Sequence, residues 1–136
     1  MSIDRPLPAP NAETAPFWSE TREHRLTVQR CLECGTPRLY PRSICRKCGS
    51  DRMEWMECTG RGTVYSYTVV HRAPSEAFAA DVPYVVAIVE LSEGPHMMTN
   101  VVGCPPDKVK IGMPVRVRFR DVSDELALPL FEPAEA

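Results

Sequence analysis

Apolar and polar residues alternate along most of the chain from Trp55 onward, in short runs separated by glycine, proline, aspartate and serine. Five runs are rich in β-branched and aromatic residues: WMEC, GTVYSYTVVHR, PYVVAIVEL, HMMTNVVG and MPVRVRFRDV. Such runs are typical of strands. About five strands with no long helix between them predict a mainly β protein built on a small antiparallel barrel.

Two of these runs carry further information. PYVVAIVEL is apolar at nearly every position, so we expect it to be a central strand. MPVRVRFRDV alternates, which directs its valines and phenylalanine inward and its arginines outward. The inward set is Val115, Val117 and Phe119, and the outward set is Arg116, Arg118 and Arg120.

The beginning of the chain follows a different pattern. Residues 1–12 are rich in proline, which predicts an extended segment. A short helix, APFWSETREH, is predicted after Thr14 as N-cap, with Pro16 tolerated in its first turn. Phe17 and Trp18 are large apolar groups on this polar helix. Two interpretations are open: they pack on the rest of the fold, or they anchor a partner subunit, as aromatic residues commonly do.

Four of the six cysteines lie close together, between the helix and the first strand. They form the pattern C-x2-C-x10-C-x2-C, with Cys31, Cys34, Cys45 and Cys48. Each pair is followed by a glycine, which adopts a left-handed turn at little cost. Two such turns can present four sulfurs to one ion, and a complete S4 shell is the arrangement of a structural zinc site. The sequence therefore predicts a zinc ribbon in which no ligand position is left for an activated water.

Other interpretations of the cysteine pattern are weaker. Disulfides are rare in a reducing compartment, and a redox-active CxxC pair would need a βαβ pattern around it. Iron in the same S4 shell is compatible with this spacing, because zinc and iron share ligands and geometry here. Cys58 and Cys104 stand apart and are predicted to be small buried apolar residues. A dyad of Cys104 with His96, brought together by the fold, is the one catalytic pairing left open.

Composition, charge and motifs restrict the class of protein. A length of 136 residues fits one domain with a small satellite, and a net charge of −2 argues against a general nucleic-acid binder. No apolar run approaches the roughly 20 residues of a membrane span, and the N-terminus lacks the pattern of a signal peptide. No hydrolase, zinc-protease or P-loop motif occurs. We therefore expect a cytoplasmic protein that is not catalytic by itself.

Taken together, the motifs resemble a known family of small proteins, long catalogued as a domain of unknown function. These proteins join a rubredoxin-like zinc ribbon to an OB-fold and accompany thiolase-like enzymes acting on acyl-CoA. The resemblance runs from about Phe17 to Pro133 and rests on the order of Phe17-Trp18, CLECG, Pro41-Arg42, CRKCG, GRGTVYSYTVVHR, PYVVAIVELSEG, GMPV and LFEP. Tyr40, and Arg46 with Lys47, stand where the family often has proline. These departures spare the cysteines but fall where they could alter a partner surface.

The resemblance implies both an organisation and a function. Residues 1–30 would form an extension and a helix, residues 31–57 the zinc ribbon, and residues 58–133 a five-stranded OB-fold barrel. The chain would be an accessory subunit of a hetero-oligomer with a thiolase-like protein, which would carry out thiolysis, acyl transfer, Claisen condensation or retro-aldol cleavage. It would help to assemble that complex and to bind the acyl-CoA.

A basic stripe is the candidate site for the phosphates of that CoA. We call Lys108, Lys110, Arg116 and Arg118 the stripe. No acid lies between residues 108 and 120, and the acidic segment that begins at Asp121 includes Asp124, Glu125, Glu132 and Glu135. Arginine matches phosphate geometry, and residues two apart on a strand are neighbours about 7 Å apart. The competing interpretation is a solvated strand face, paired with the acidic segment.

One alternative function belongs to a different class. Zinc ribbons and OB-folds both occur in nucleic-acid-binding modules, where aromatic side chains stack on bases. Tyr65 and Tyr67 are the candidates, since two residues apart on one strand they are expected to share a face. The acidic net charge weighs against this function, so we expect no nucleic acid among the partners.

Overall fold

The computed structural model describes residues 7–134, so residues 1–6 of the predicted extended segment lie outside the described part. One helix, α1 (Ala15–Arg22), precedes eight strands: β1 (Thr27–Cys31), β2 (Pro37–Arg38), β3 (Met53–Glu57), β4 (Arg61–Val70), β5 (Tyr84–Leu91), β6 (His96–Val101), β7 (Pro114–Asp121) and β8 (Ala127–Pro133). Two short 3-10 helices occupy Glu76–Phe78 and Pro106–Lys108. The predicted mainly β fold is confirmed.

The helix begins where it was predicted, but its cap differs. Thr14 precedes α1 and makes no side-chain cap hydrogen bond. Asn11 supplies the cap instead: its side-chain oxygen accepts hydrogen bonds from the N–H groups of Glu13 and Thr14, both at 2.9 Å. Its backbone carbonyl accepts from Ala15 at 2.8 Å. Asn11 therefore stabilises the turn that leads into the helix, although the helix itself starts at Ala15 as predicted.

The ribbon contains a three-stranded antiparallel sheet in the order β2-β1-β3. The prediction that the run WMEC forms a barrel strand is wrong. Its first three residues belong to β3 of the ribbon, where Trp55 pairs with Gln29 of β1. Strand β1 escaped the sequence pattern because two of its buried residues, Thr27 and Gln29, are polar. The side-chain oxygen of Gln29 accepts a hydrogen bond from the backbone N–H of Arg42 at 2.9 Å, whereas the buried hydroxyl of Thr27 has no hydrogen-bond partner among the described residues.

The remaining five strands close into a barrel in the order β4-β5-β6-β8-β7, an OB-fold. Its fifth strand is β8, which replaces WMEC in the predicted set. Prolines Pro129 and Pro133 hid this strand from the sequence pattern, because proline is rare inside sheets. Every neighbouring pair is antiparallel except β6–β8, which is parallel and pairs only Val101 with Phe131. Most of β6 thus lacks a strand partner on that side.

One continuous core joins the barrel to the ribbon and the helix. Its members are all buried or nearly so, and include Val64, Val89, Val115 and Phe131 of the barrel, Leu26 and Val28 of the ribbon and Phe17 of α1. The alternation predicted for β7 is confirmed, with Val115 buried, Val117 and Phe119 partly buried and the arginines exposed. No helix within residues 7–134 is long and apolar enough to cross a bilayer.

Candidate metal centre and partner surface

The four predicted cysteines converge on one point of the ribbon. Their Sγ atoms all lie within 4.8 Å of one another, with Cys31 and Cys48 at 3.5 Å and Cys34 and Cys45 at 3.7 Å. Cys31 and Cys45, the first cysteine of each pair, are buried, and the second cysteine of each pair is exposed. This arrangement of four sulfurs is positioned to bind a metal ion.

Two equivalent backbone turns create this convergence. The N–H of Gly35 donates to the carbonyl of Cys31, and the N–H of Gly49 donates to that of Cys45, both at 2.8 Å. Each glycine has a positive φ, 73° and 78°, and a Cβ at either would meet no atom within 4 Å. Glycine is therefore required at both positions for its backbone conformation and not for lack of space.

The thiols differ in acidity because each has a different environment. Hydrogen bonds from the hydroxyl and then the N–H of Thr36 lower the pKa of Cys34 to about 6, and the N–H of Cys48 lowers the pKa of Cys45. Cys48 accepts a favourable backbone hydrogen bond from Ser50, but contact with the Cys31 sulfur and burial raise its pKa to about 12. Four thiolates in one site repel one another, and a bound cation removes that cost.

One cation already contacts this site. Nη2 of Arg38 lies 3.3 Å from Sγ of Cys45, within hydrogen-bonding range of a sulfur acceptor. The Nε atom of Arg38 is buried without a hydrogen-bond partner. Because four thiolates around a divalent ion carry two net negative charges, the guanidinium fits the donor set of a metal–thiolate site. The sequence pattern gave no signal for this contact.

The two aromatic residues of α1 have different environments. Phe17 is 6% exposed and belongs to the core, with its ring edge-on to that of Trp18. Trp18 is only partly buried and lines an apolar groove of 280 Å³ between the helix, the ribbon and the barrel. The groove also includes Leu39, Tyr40, Met98 and Leu128. Tyr40 and Met98 are more than half exposed. Any contact of this pair with a partner would therefore involve Trp18.

The members of the stripe do not form one uniform surface. Arg116 and Arg118 are exposed and both pair with Glu132 of β8, at 2.7 and 3.5 Å. Lys108 and Lys110 are also exposed, and neither forms an ion pair within residues 7–134. Glu132 lies in β8 and belongs to the acidic segment that begins at Asp121, so this pairing supports the competing interpretation of a strand face paired with that segment.

The remaining predicted positions give no catalytic arrangement within the described residues. Burial raises the pKa of Cys104, and burial together with Glu93 raises that of Cys58 to about 12, so both thiols stay protonated at neutral pH. His96 contacts the side chains of Glu90 and Tyr65.

The tyrosines predicted to share a face do not. A bulge between Val64 and Ser66 breaks the alternation of β4. The ring of Tyr65 lies on His96, whereas Tyr67 pairs with Ala87, which is buried in the barrel. The continuous aromatic face expected for base stacking is absent from this strand.

Both halves of the chain match domains of a known family. Residues 18–54 match the ChsH2 rubredoxin-like zinc ribbon domain, and residues 55–120 match the ChsH2 C-terminal OB-fold domain. The chain is 48% identical over 131 residues to a probable enoyl-CoA hydratase alpha subunit of Thermomonospora curvata. That alignment covers 96% of this chain but 40% of the relative, so the chain spans less than half of that relative's length.

Two further comparisons cover the matching proteins more fully. A DUF35 domain-containing scaffold protein of Methanothermobacter thermautotrophicus is 37% identical, over 83% of this chain and 86% of its own length. In the solved structure of the Ltp2-ChsH2(DUF35) aldolase, one chain is similar with a TM-score of 0.86 at 45% identity, covering 95% of this chain and 100% of that one. These matches confirm the resemblance in sequence, domain order and fold. The chain belongs to the DUF35 family, as a ChsH2-type protein that joins a rubredoxin-like zinc ribbon to an OB-fold.

Proposed function

We propose that this chain is an accessory, non-catalytic subunit of a thiolase-like enzyme that acts on acyl-CoA thioesters. The observation that carries the proposal is its similarity over the whole of a chain in the Ltp2-ChsH2(DUF35) aldolase. A relative named as the alpha subunit of an enoyl-CoA hydratase supports acyl-CoA as the substrate class. The protonated cysteines and the lack of a nucleophile–base pair among the described residues are consistent with a partner that performs the chemistry.

The metal in this proposal is one structural zinc ion, held by the four cysteines. Zinc is favoured by the matched ribbon domain and by a donor set of four sulfurs. Bound zinc would fix the two turns relative to each other, and with them the Tyr40 side of the groove. The end of β3 at Glu57 supports a boundary between ribbon and barrel at residues 57 and 58, whereas β1 extends the ribbon from the predicted residue 31 back to Thr27.

The partner surface in this proposal is the exposed rim of the apolar groove. Trp18, Tyr40 and Met98 are large side chains that remain accessible in the isolated chain. Aromatic residues and methionine are enriched at the centres of protein interfaces. A hetero-oligomer in the cytoplasm, without nucleic acid or membrane, is the state in which we expect the chain to function.

Co-expression tests the proposal directly. The chain is produced with a thiolase-like protein encoded beside it, and the assembly is measured by light scattering. We expect a stable heteromer that turns over acyl-CoA by thiolysis, acyl transfer or retro-aldol cleavage, while the chain alone is inactive. Turnover by the chain alone, abolished by Cys104→Ala, would instead identify it as an enzyme. Failure of the chain to assemble with any such protein would refute the accessory role.

A further inference from the structure

Four cationic side chains of the ribbon line a single concavity, which we call the cationic pocket. It has a volume of 480 Å³ and is lined by Arg38, Leu39, Tyr40, Arg42, Arg46 and Lys47. Its wall contains no acidic residue. Within residues 7–134, none of the four cations forms an ion pair with a carboxylate within 4.0 Å. The charges of Arg42, Arg46 and Lys47 are therefore not paired with a carboxylate in this part of the chain, whereas the charge of Arg38 lies against the Cys45 sulfur.

Hydrogen bonds hold two residues of the pocket wall, Arg38 and Arg42, in place. The guanidinium of Arg38 is held at Sγ of Cys45, and the backbone of Arg42 donates to the buried side chain of Gln29. Glu13 is the acid whose charge acts on Arg42, but its carboxylate accepts hydrogen bonds from the backbone and hydroxyl of Ser43, at 2.7 and 2.9 Å. A wall held by such contacts loses little freedom when a ligand binds.

The cationic pocket is better suited to phosphate than the stripe is. Both arginines of the stripe already pair with Glu132, so an incoming phosphate would have to displace a carboxylate. Arg38 already contacts the Cys45 sulfur, but Arg42, Arg46 and Lys47 have no carboxylate competitor within residues 7–134 and combine two guanidinium groups with an ammonium group. Guanidinium groups bind phosphate oxygens through paired, charge-assisted hydrogen bonds.

The cationic pocket also adjoins an apolar site. Leu39 and Tyr40 line both this pocket and the apolar groove next to Trp18 and Met98. The surface thus changes from strongly cationic to apolar across two neighbouring residues. Such a surface fits a ligand with several phosphates at one end and an uncharged chain at the other.

We propose that the cationic pocket binds the phosphate groups of the acyl-CoA thioester, with the pantetheine and acyl part directed past Tyr40 toward the apolar groove. This assignment rests on the proposed function for its substrate class, and it places the phosphates on the ribbon instead of on the stripe. The 3′-phosphate and the diphosphate of CoA carry several negative charges, which the unpaired cations offset. A free nucleotide offers the same phosphate chemistry without the uncharged chain.

Binding of CoA to the zinc-loaded chain, measured by calorimetry, tests this assignment. In the variant Arg46→Glu/Lys47→Glu we expect the affinity for CoA to fall at least tenfold. The matched control is Arg116→Glu/Arg118→Glu, which changes the net charge by the same amount, and its affinity should stay within twofold of the unchanged protein. Equal losses in both variants, or no loss in the ribbon variant, would overturn the proposal.

Two further ligands separate CoA from a free nucleotide. Because adenosine 3′-phosphate 5′-diphosphate keeps all the phosphates of CoA but lacks the chain that would contact Tyr40, we expect it to bind at least fivefold more weakly than CoA, and to lose affinity in the ribbon variant as well. Dephospho-CoA should also bind more weakly than CoA. Equal affinity for CoA and for this nucleotide would refute the orientation toward the groove.

The substituted residues lie between two metal ligands, so folding must be controlled. Zinc content and circular dichroism establish whether the ribbon variant is intact, and Arg42→Gln provides a second variant outside the CxxC pair, expected to weaken CoA binding several-fold. The co-expression test remains independent. A heteromer that assembles normally, with CoA binding unaffected by the ribbon variants, would refute only the pocket. Absence of any heteromer would refute the accessory role, whatever the isolated chain binds.

Discussion

The phenolic oxygen of Tyr40, in the ribbon, accepts a hydrogen bond from the backbone N–H of Met98, in β6, at 3.2 Å. This contact lies on the side of β6 that β8 leaves mostly unpaired. It thus satisfies a strand donor that has no neighbouring strand, and it connects the ribbon to the barrel beside the apolar groove. A single hydroxyl group substitutes here for part of a strand pairing.

Removal of that hydroxyl should loosen the connection. We expect Tyr40→Phe to lower the free energy of unfolding by about 0.5–1.5 kcal/mol, because one hydrogen bond is lost and a strand N–H is left to water. Urea unfolding of the zinc-loaded protein measures the change. Tyr67→Phe is the control, since the Tyr67 hydroxyl makes no hydrogen bond to the described residues. Equal stability of Tyr40→Phe and unchanged protein would show that the contact contributes nothing.

The adjacent aromatic residues of α1 should separate folding from assembly. Phe17→Ala removes a side chain from the core and should cost about 3–5 kcal/mol of stability. Trp18→Ala should cost less stability, since Trp18 is only partly buried, but should weaken binding to a thiolase-like partner by about 2 kcal/mol, roughly thirtyfold. Thermal unfolding and the dissociation constant of the heteromer distinguish the two effects. Normal assembly of a folded Trp18→Ala variant would place the interface elsewhere.

The metal ligands and the general fold were accessible from the sequence for different reasons. Cysteine spacing reports directly on geometry, because each CxxC pair with its glycine forms one local turn. The alternation of apolar and polar residues in β7 predicts which of its side chains are buried, and Val115 is buried as predicted. Both signals are local, so they remain readable without knowledge of the rest of the fold.

Features that depend on distant contacts were not readable in this way. β1 buries Thr27 and Gln29, whose polarity concealed the strand, and β8 contains prolines that ordinarily argue against a strand. The pairing of Arg116 with Glu132 depends on the register of β7 against β8, which the hydrophobic pattern leaves open. One feature of the sequence does indicate the cationic pocket. Residues 38–52 contain five basic residues and a single acid, Asp51.

Loss of a metal ligand should unfold at least the ribbon. Structural zinc in such sites contributes roughly 10–16 kcal/mol of apparent binding free energy, and this free energy depends on all four ligands. We therefore expect Cys45→Ser to lose stoichiometric zinc and the cooperative unfolding of the ribbon, whereas Cys104→Ser retains both. Elemental analysis and circular dichroism check this. Undamaged protein without stoichiometric metal would contradict the zinc assignment itself.

The guanidinium of Arg38 provides the most selective test of the metal site, because it contacts a ligand without being one. A charge-assisted hydrogen bond contributes about 1.5–3 kcal/mol, so Arg38→Gln should release zinc to a chelator roughly 10- to 150-fold faster. Arg38→Lys retains the charge and should release zinc at a rate closer to that of the unchanged protein. Arg46→Gln is the matched control, since it removes a nearby charge that contacts no sulfur among the described residues.

Replacement of zinc by iron allows a second measurement, the reduction potential. This potential would not depend on Arg38 if Arg38 had a purely structural role. With four thiolates, a ferric site carries one net negative charge and a ferrous site carries two, so a neighbouring cation favours the ferrous state. We expect Arg38→Gln to lower the reduction potential of the iron-loaded ribbon, and Arg46→Gln to lower it less. Because a loosened ribbon would release metal faster in either case, the potential separates electrostatics from folding. Equal reduction potentials in the Arg38→Gln variant and the unchanged protein would show that Arg38 contributes only packing to the ribbon.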